Sequence, residues 1–135
     1  FEDRWVHLKA DLQSPCVFTK GLDAVYYPVR HGEGKFIPDS AATLAAIKKK
    51  SLAVFRYCDA DGAPTMDYPD NPNGALQAIA GICNESGRLF GLMPHPEAFL
   101  HRTNHPRWTR ENLPEEGQGL AIFKNAVSFI RSGDF

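Results

Sequence analysis

Two short apolar runs in the second half of the chain constrain its fold more than any other feature. Residues 79–83 (IAGIC) and 89–93 (LFGLM) are separated by the turn-forming sequence NESG. Paired apolar runs with a short, polar, Gly-containing connection are typical of a β-hairpin. Small residues alternate with large ones in both runs, as in strands that pack on both faces. The sequence therefore predicts a hairpin that is covered on each side.

The rest of the chain is predicted to alternate short strands with two helices. Three runs are alternating or mostly apolar, which indicates strands. Asp39 or Ser40 can cap the first helix, and apolar residues at helical spacing predict an amphipathic helix near the C-terminus. Because strands outnumber helices and the first helix lies between strands, we predict a mixed α/β fold. The predicted strands span residues 5–10, 24–29 and 51–57, the first helix spans 41–50, and the apolar positions of the second are Leu120, Ile122, Phe123, Ala126, Val127, Phe129 and Ile130.

The composition is that of one ordinary globular domain. A chain of 135 residues has room for a single core, and 43% hydrophobic residues argue against extended disorder. The 15 basic and 16 acidic side chains give a net charge of −1, and the longest basic block is the three lysines at 48–50. This balance offers no electrostatic footprint for nucleic acid or an anionic membrane. Small molecules or proteins are therefore the expected partners.

Targeting and cysteine patterns predict a reduced, cytoplasmic protein. No apolar run approaches the ~20 residues that a membrane helix needs, and the N-terminus lacks the order of a signal peptide. Cys16, Cys58 and Cys83 are odd in number and widely spaced, so neither a disulfide framework nor a CxxC metal half-site is indicated. The chain starts at Phe1 without a Met, which suggests a part of something longer.

The sequence MPHPE at residues 93–97 is the strongest candidate for chemistry, because it follows the second apolar run. In an extended chain, residues two apart project to the same side, so we expect His95 and Glu97 within hydrogen-bonding reach at a strand end. A carboxylate that accepts from one imidazole nitrogen leaves the other as a base for a Cys or Ser nucleophile. The alternative is a His and a Glu exposed on a proline-stiffened turn.

His101 and His105 raise the question of a metal site, because their spacing is ligand-like. The segment has no CxxC and no suitably spaced carboxylate pair to complete a ligand set. We therefore predict no metal there.

Several separate strings together resemble one enzyme family. GICNESGRLFGLMPHPE at residues 81–97 resembles the C-terminal signature of class I glutamine amidotransferases. RWVHL (4–8), HGEGKF (31–36) and NPNG (71–74) are similar to the glutaminase part of phosphoribosylformylglycinamidine synthases, and the similarity continues to FKNA (123–126). The resemblance covers nearly the full chain, with its motifs in family order.

The resemblance implies a fold, a substrate and a partner. It implies an α/β, mixed, mainly parallel-sheet, flavodoxin-like fold, of which residues 1–135 would be the C-terminal portion. His95 and Glu97 would be two members of a Cys-His-Glu triad that hydrolyses glutamine and passes ammonia to a synthase domain or subunit. No cofactor is expected in this chain, which has no P-loop, whereas ATP and magnesium are expected in the synthase part.

The nucleophile of that triad is not found in this sequence. The family places it in a G-x-C-x-G elbow upstream of these motifs. GIC at residues 81–83 imitates the elbow, but Glu85 replaces the second glycine, so Cys83 and the other two cysteines are predicted to be packing thiols. We expect this chain alone to be inactive on glutamine, with an exposed sheet edge or apolar patch beside His95. The alternative is a non-catalytic interaction or regulatory module with an amidotransferase-like shell.

Two loops carry further candidate functional residues. His31 in the HGEG string is either a second functional histidine near the glutaminase site or an ordinary loop histidine. Asn71, Asn73 and Gly74 either contact a partner domain or serve as turn residues that tolerate left-handed φ. The sequence leaves both questions open.

Overall fold

The fold is built on one five-stranded sheet, described by a computed structural model for residues 1–133. The strands are β1 (Glu2–Ala10), β2 (Ala24–His31), β3 (Ala53–Cys58), β4 (Ile79–Cys83) and β5 (Phe90–Leu92). The α-helices are α1 (Ala41–Lys49) and α2 (Leu120–Ser132). Short 3-10 helices span Val17–Thr19, Leu76–Ala78, Pro96–Ala98 and Arg102–Asn104.

The predicted secondary-structure elements are confirmed within a few residues of their ends. The hairpin is present, with Cys83 of β4 opposite Phe90 of β5. Of the two proposed caps for α1, Ser40 is the one used, since its Oγ accepts a hydrogen bond from the Thr43 amide at 3.1 Å. Such a cap satisfies one of the free amides of the first turn and so defines where the helix begins.

The predicted mainly parallel, flavodoxin-like sheet is wrong. Every strand pair within residues 1–133 is antiparallel, in the order β2-β1-β3-β4-β5. The mainly parallel sheet was an implication of the family resemblance, and a helix between β2 and β3 would fit it only if these two strands were neighbours, because a crossover helix usually joins neighbouring parallel strands. Here β1 lies between them and pairs antiparallel with both. β2 and β3 thus run in the same direction without pairing, and periodicity alone does not reveal this intervening strand.

The sheet curls so strongly that its two edges approach each other. Leu92 ends β5 at one edge, and only three residues later the His95 amide donates to the carbonyl of Pro28 in β2, the other edge, at 2.8 Å. Three residues span at most about 10 Å, whereas four strand spacings in a flat sheet amount to about 19 Å. The sheet is therefore a half-barrel, and the turn after β5 bridges its opening.

Alternating residues of the strands fill the inside of this half-barrel. Val6 of β1 lies opposite Tyr27 of β2, and Leu8 of β1 lies opposite Tyr57 of β3, all of them buried. Burial of such side chains contributes about 1.5–3 kcal/mol each, which makes this face the main source of stability. A second cluster, comprising Ile47, Ala53 and Ile79, fixes α1 on the other side.

The amphipathic prediction for α2 is only partly right. Ile122 is buried, whereas Phe123, Val127 and Ile130 are 44%, 47% and 62% exposed. The apolar positions cover more of the helix circumference than the single face that packs on the chain. Asn125 ties the helix down instead, since its Nδ2 donates to the carbonyls of Phe18 and Lys20.

Replacing Tyr57 with Phe is expected to leave the stability of the fold unchanged or to raise it by about 1 kcal/mol. The buried Tyr57 hydroxyl has no hydrogen-bond partner among the described residues, and burial raises its pKa. Tyr27→Phe is the matched control, because the Tyr27 hydroxyl donates to the Gln118 carbonyl at 3.2 Å, so its removal should cost about 0.5–1.5 kcal/mol. Urea unfolding of the chain measures both changes. Equal losses in the two variants would contradict the expectation.

Candidate active site

The turn that carries His95 is fixed by backbone contacts on both sides. The Met93 amide donates to the Ala80 carbonyl at 3.0 Å, and the His95 amide donates to Pro28. Pro94 is fully buried, and Pro96 starts a 3-10 turn that the Ala98 amide closes onto the His95 carbonyl at 3.1 Å. The backbone at His95 thus has little freedom to move, which is the support that a catalytic side chain requires.

The predicted contact between His95 and Glu97 is confirmed. Nδ1 of His95 lies 2.7 Å from Oε1 of Glu97, and the two side chains are 38% and 58% exposed. Since a carboxylate can only accept, Nδ1 carries the proton and Nε2 is the basic nitrogen. Within residues 1–133, Nε2 makes no hydrogen bond. The predicted extended geometry is wrong, however, because the contact forms across a 3-10 turn three residues beyond the end of β5.

Two glycines support this turn from behind, and the sequence analysis missed both. A Cβ built on Gly119 would lie 1.8 Å from the Pro96 carbonyl oxygen, and one on Gly117 would lie 2.4 Å from the Phe99 carbonyl oxygen. The Gly119 amide also donates to Phe99 at 2.9 Å. The string GQG directly before the apolar positions of α2 could have indicated this contact from the sequence, since glycine often marks a close approach between backbone segments.

The structure brings His31 next to His95. The two ring centroids are 6.5 Å apart, and Nε2 of His31 lies 2.8 Å from Oδ1 of Asn73. Burial lowers the pKa of His31, the hydrogen bond to Asn73 opposes this, and the nearby His95 lowers it further. His31 therefore belongs to the neighbourhood of the candidate site and is not an isolated loop residue.

Asn71 has a structural role in the adjacent loop. It is 2% exposed, its Nδ2 donates to the Ala75 carbonyl at 2.9 Å, and its Oδ1 accepts from the Ala75 amide at 2.8 Å. Gly74 adopts a φ of +66°, a conformation that glycine adopts without strain. For these two residues the turn interpretation is correct, whereas Asn73 contacts His31.

The three cysteines are buried and do not adjoin His95. Cys83 lies opposite Phe90 at the start of β5, roughly 7 Å of strand away from the end of β5 that leads to His95. Burial raises the pKa of Cys16 and also raises the pKa of Cys58, to about 11. A buried thiol with a raised pKa is a poor nucleophile, so the structure agrees with packing roles for Cys16 and Cys58.

His101 and His105 do not face a common site. His101 contacts Thr103 through Nδ1 and Glu115 through Nε2 at the surface. His105 is buried, and its ring packs against Trp5 and Phe99 with centroids 5.3 and 5.5 Å apart. Within the described part of the chain, no group of three or more His, Cys, Asp or Glu side chains could hold a metal ion.

The flank of the site is an exposed sheet edge, as predicted. β5 is an edge strand, and a groove of about 290 Å³ runs along β4 and β5 up to Met93, two residues before His95. Its lining is mostly apolar and includes Phe36, Ile82 and Leu92. Leu89, at the start of the same edge, is 69% exposed.

None of the helices in residues 1–133 has the length and apolar character to cross a membrane.

Comparison with known proteins assigns the chain to a family. Residues 1–130 match the CobB/CobQ-like glutamine amidotransferase domain, and the chain belongs to this family. It is 50% identical over 131 residues to phosphoribosylformylglycinamidine synthase subunit PurQ of Dehalococcoides mccartyi, covering 97% of this chain and 49% of that protein. It is 45% identical over 141 residues to subunit PurQ of a Methanococcus maripaludis strain, covering 96% and 51%. The resemblance inferred from the motifs is thereby confirmed.

A solved structure agrees with these relatives. The chain matches the structure of PurLQS from Thermotoga maritima with a TM-score of 0.61 and 26% identity, covering 96% of this chain and 48% of that one. The chain thus spans about half the length of the PurQ proteins that it matches.

Proposed function

We propose that this chain is the part of a phosphoribosylformylglycinamidine synthase glutaminase that carries the catalytic base and the carboxylate orienting it. The observation that carries the proposal is the 2.7 Å contact between Nδ1 of His95 and Oε1 of Glu97 at a fixed turn, where Nε2 makes no hydrogen bond to residues 1–133. The names of the PurQ relatives support the choice of reaction. In the complete protein, glutamine would be hydrolysed to supply ammonia for an ATP-dependent amidination in purine biosynthesis.

Each of the two residues has a defined task in this reaction. Nε2 of His95 takes the proton of a cysteine thiol, and the thiolate attacks the glutamine carboxamide to form a tetrahedral oxyanion. His95 then gives the proton to the leaving nitrogen, so that ammonia and a thioester form. In the second half, His95 deprotonates the water that hydrolyses the thioester to glutamate. Glu97 keeps the proton on Nδ1 and stabilises the imidazolium that exists between these steps.

The attacking thiol is proposed to come from a residue outside this chain. Cys16, Cys58 and Cys83 are buried, and none lies in a G-x-C-x-G elbow. The PurQ relatives have about twice the length that this chain covers. The apolar groove along β4 and β5 offers a surface on which such a further part of the domain can pack. On this basis we propose that the chain alone does not hydrolyse glutamine.

The synthase is the proposed partner, as a domain or a subunit. The similar structure from Thermotoga maritima is that of PurLQS, whose name combines PurQ with further components, and this supports the choice. ATP and magnesium are assigned to the synthase part and not to residues 1–133, and the cytoplasm is the proposed location.

Replacing Glu97 with Gln is expected to lower the glutamine-dependent rate of the complete protein by roughly tenfold. Hydrogen bonds to a charged acceptor contribute about 1 to 1.5 kcal/mol more than those to a neutral one, which corresponds to about a tenfold change in rate. The imidazole remains in place, but it loses the negative charge that holds the proton on Nδ1 and stabilises the imidazolium. Steady-state rates with glutamine and with an ammonium salt measure the effect, and the ammonium rate is expected to stay constant.

The matched control for this variant is Glu115→Gln, which also removes one surface carboxylate that contacts a histidine, here His101. It should leave the glutamine-dependent rate unchanged. Unchanged glutamine-dependent rates in both variants would favour a non-catalytic module with the same shell.

A further inference from the structure

The ring of His31 is held in one position beside the ring of His95. The two ring planes are inclined by 47° at a centroid distance of 6.5 Å. Asn73 contacts Nε2 of His31, and a Cβ built on Gly34 would lie 1.9 Å from that same nitrogen. A side chain at position 34 would displace the ring, so the glycine allows the loop backbone to pack directly against it.

The acceptor of the His31 hydrogen bond is itself anchored. Asn73 lies between Asn71, whose side chain makes two hydrogen bonds to Ala75, and Gly74, whose amide donates to the Asn71 carbonyl at 3.2 Å. The loop therefore presents the Asn73 oxygen from a fixed backbone.

This contact determines which nitrogen of His31 carries the proton. An amide oxygen only accepts, so Nε2 of His31 donates to Oδ1 of Asn73, and in the neutral ring Nδ1 is unprotonated. Nδ1 has no hydrogen-bond partner among the described residues. Both His31 and His95 thus have one nitrogen occupied and one basic nitrogen free.

The charged groups around His31 do little to stabilise its protonated form. The Glu2 carboxylate on β1 favours a protonated His31, but Oε2 of Glu2 already lies 2.7 Å from Nε of Arg4. Protonation of His31 is disfavoured whenever His95 is itself protonated, and the partial burial of His31 disfavours it further. Charged or titratable groups on the elements around His31 include Glu2 and Arg4 on β1, Lys35 in the loop after β2, and His95 and Glu97 in the turn after β5.

We propose that His31 is a positioning residue for the base: Asn73 and Gly34 hold its ring beside His95 with the proton on Nε2, and partial burial keeps the ring neutral, so that His95 can take up a proton without a second positive charge beside it. The inference rests on the proposed function, because His95 needs to become an imidazolium only if it is the base. A cation at position 31 would oppose that step by direct charge repulsion.

NMR titration of the histidine side chains in the complete protein tests the protonation state independently of any activity. We expect His31 to show the tautomer protonated on Nε2 and to stay neutral until the pH is below its ordinary pKa of 6.5. His95→Gln should raise the pKa of His31, because it removes the neighbouring imidazolium. A proton on Nδ1, or a His31 half protonated at or above pH 6.5, would overturn the inference.

The consequence for catalysis is tested in the complete protein with two substitutions of His31. His31→Lys introduces a permanent cation and should lower the glutamine-dependent rate at least about tenfold relative to the ammonium-dependent rate, with the acid limb of its pH profile moved to lower pH. His31→Gln stays neutral and can still donate to Asn73, so it should lose less and keep the acid limb in place.

The possible failures can be told apart. Equal losses in both His31 variants, with unmoved acid limbs, would show a purely structural role and overturn the inference. If His31→Lys does not fold, the tautomer of His31 and its titration in the His95→Gln variant still test the inference. An unaffected glutamine-dependent rate in His95→Ala would instead remove the proposed function.

Discussion

Replacing His95 with Ala is expected to abolish glutamine-dependent synthesis by the complete protein while leaving synthesis from added ammonia intact. Positioned acid–base groups contribute about 10²- to 10⁴-fold, and His95 would act in both thioester formation and thioester hydrolysis. Free ammonia enters the reaction after those steps and does not need the base. Steady-state rates with glutamine and with an ammonium salt, measured on the same preparation, give the comparison.

His101→Ala is the matched control for this prediction. His101 is also a surface histidine in contact with a carboxylate, Glu115, but it lies outside the candidate site. It should leave both activities unchanged. Equal loss of both activities in His95→Ala would mean that His95 supports folding or domain docking, and retention of both would exclude it as a catalytic residue.

Local patterns in the sequence predicted the elements of the fold but not the arrangement of the strands. The hairpin and the cap at Ser40 depend on neighbouring residues, so they could be recognised from short strings. The order of strands depends on long-range pairing, such as Leu8 of β1 with Tyr57 of β3. Alternation indicates only that a strand has two faces, so no local pattern could correct the parallel sheet that the family resemblance implied.

The candidate site was predictable where its parts are close in sequence. His95 and Glu97 are two residues apart, and their contact follows from short range and from the stiffness of the prolines. His95 lies close to His31 because the half-barrel curls and brings the turn after β5 to the end of β2. No local pattern encodes that approach, and family resemblance was the only indication of it.

Replacing Gly119 with Ala is expected to destabilise the protein by about 2–3 kcal/mol and to lower glutamine-dependent activity about 100-fold. Gly119 has φ −62° and ψ −26°, values that any residue adopts, so the backbone conformation itself does not require glycine. The reason is steric, because the new Cβ would lie 1.8 Å from the Pro96 carbonyl oxygen and 2.8 Å from that of Phe99. Both contacts are backbone, so relief requires a shift of the turn between His95 and Glu97.

Gly91→Ala is the control for the stability of this chain, since a Cβ on Gly91 would have no neighbour within 4 Å among the described residues. The free energy of unfolding of the chain in urea should change for Gly119→Ala and stay near the unsubstituted value for Gly91→Ala, and the ratio of glutamine-dependent to ammonia-dependent rates should fall for Gly119→Ala in the complete protein. At a position with ordinary helical dihedrals, Gly→Ala usually stabilises by about 0.4–1 kcal/mol through the unfolded state. A gain of that size at Gly119 would therefore show that the turn yields easily and does not hold His95 in place.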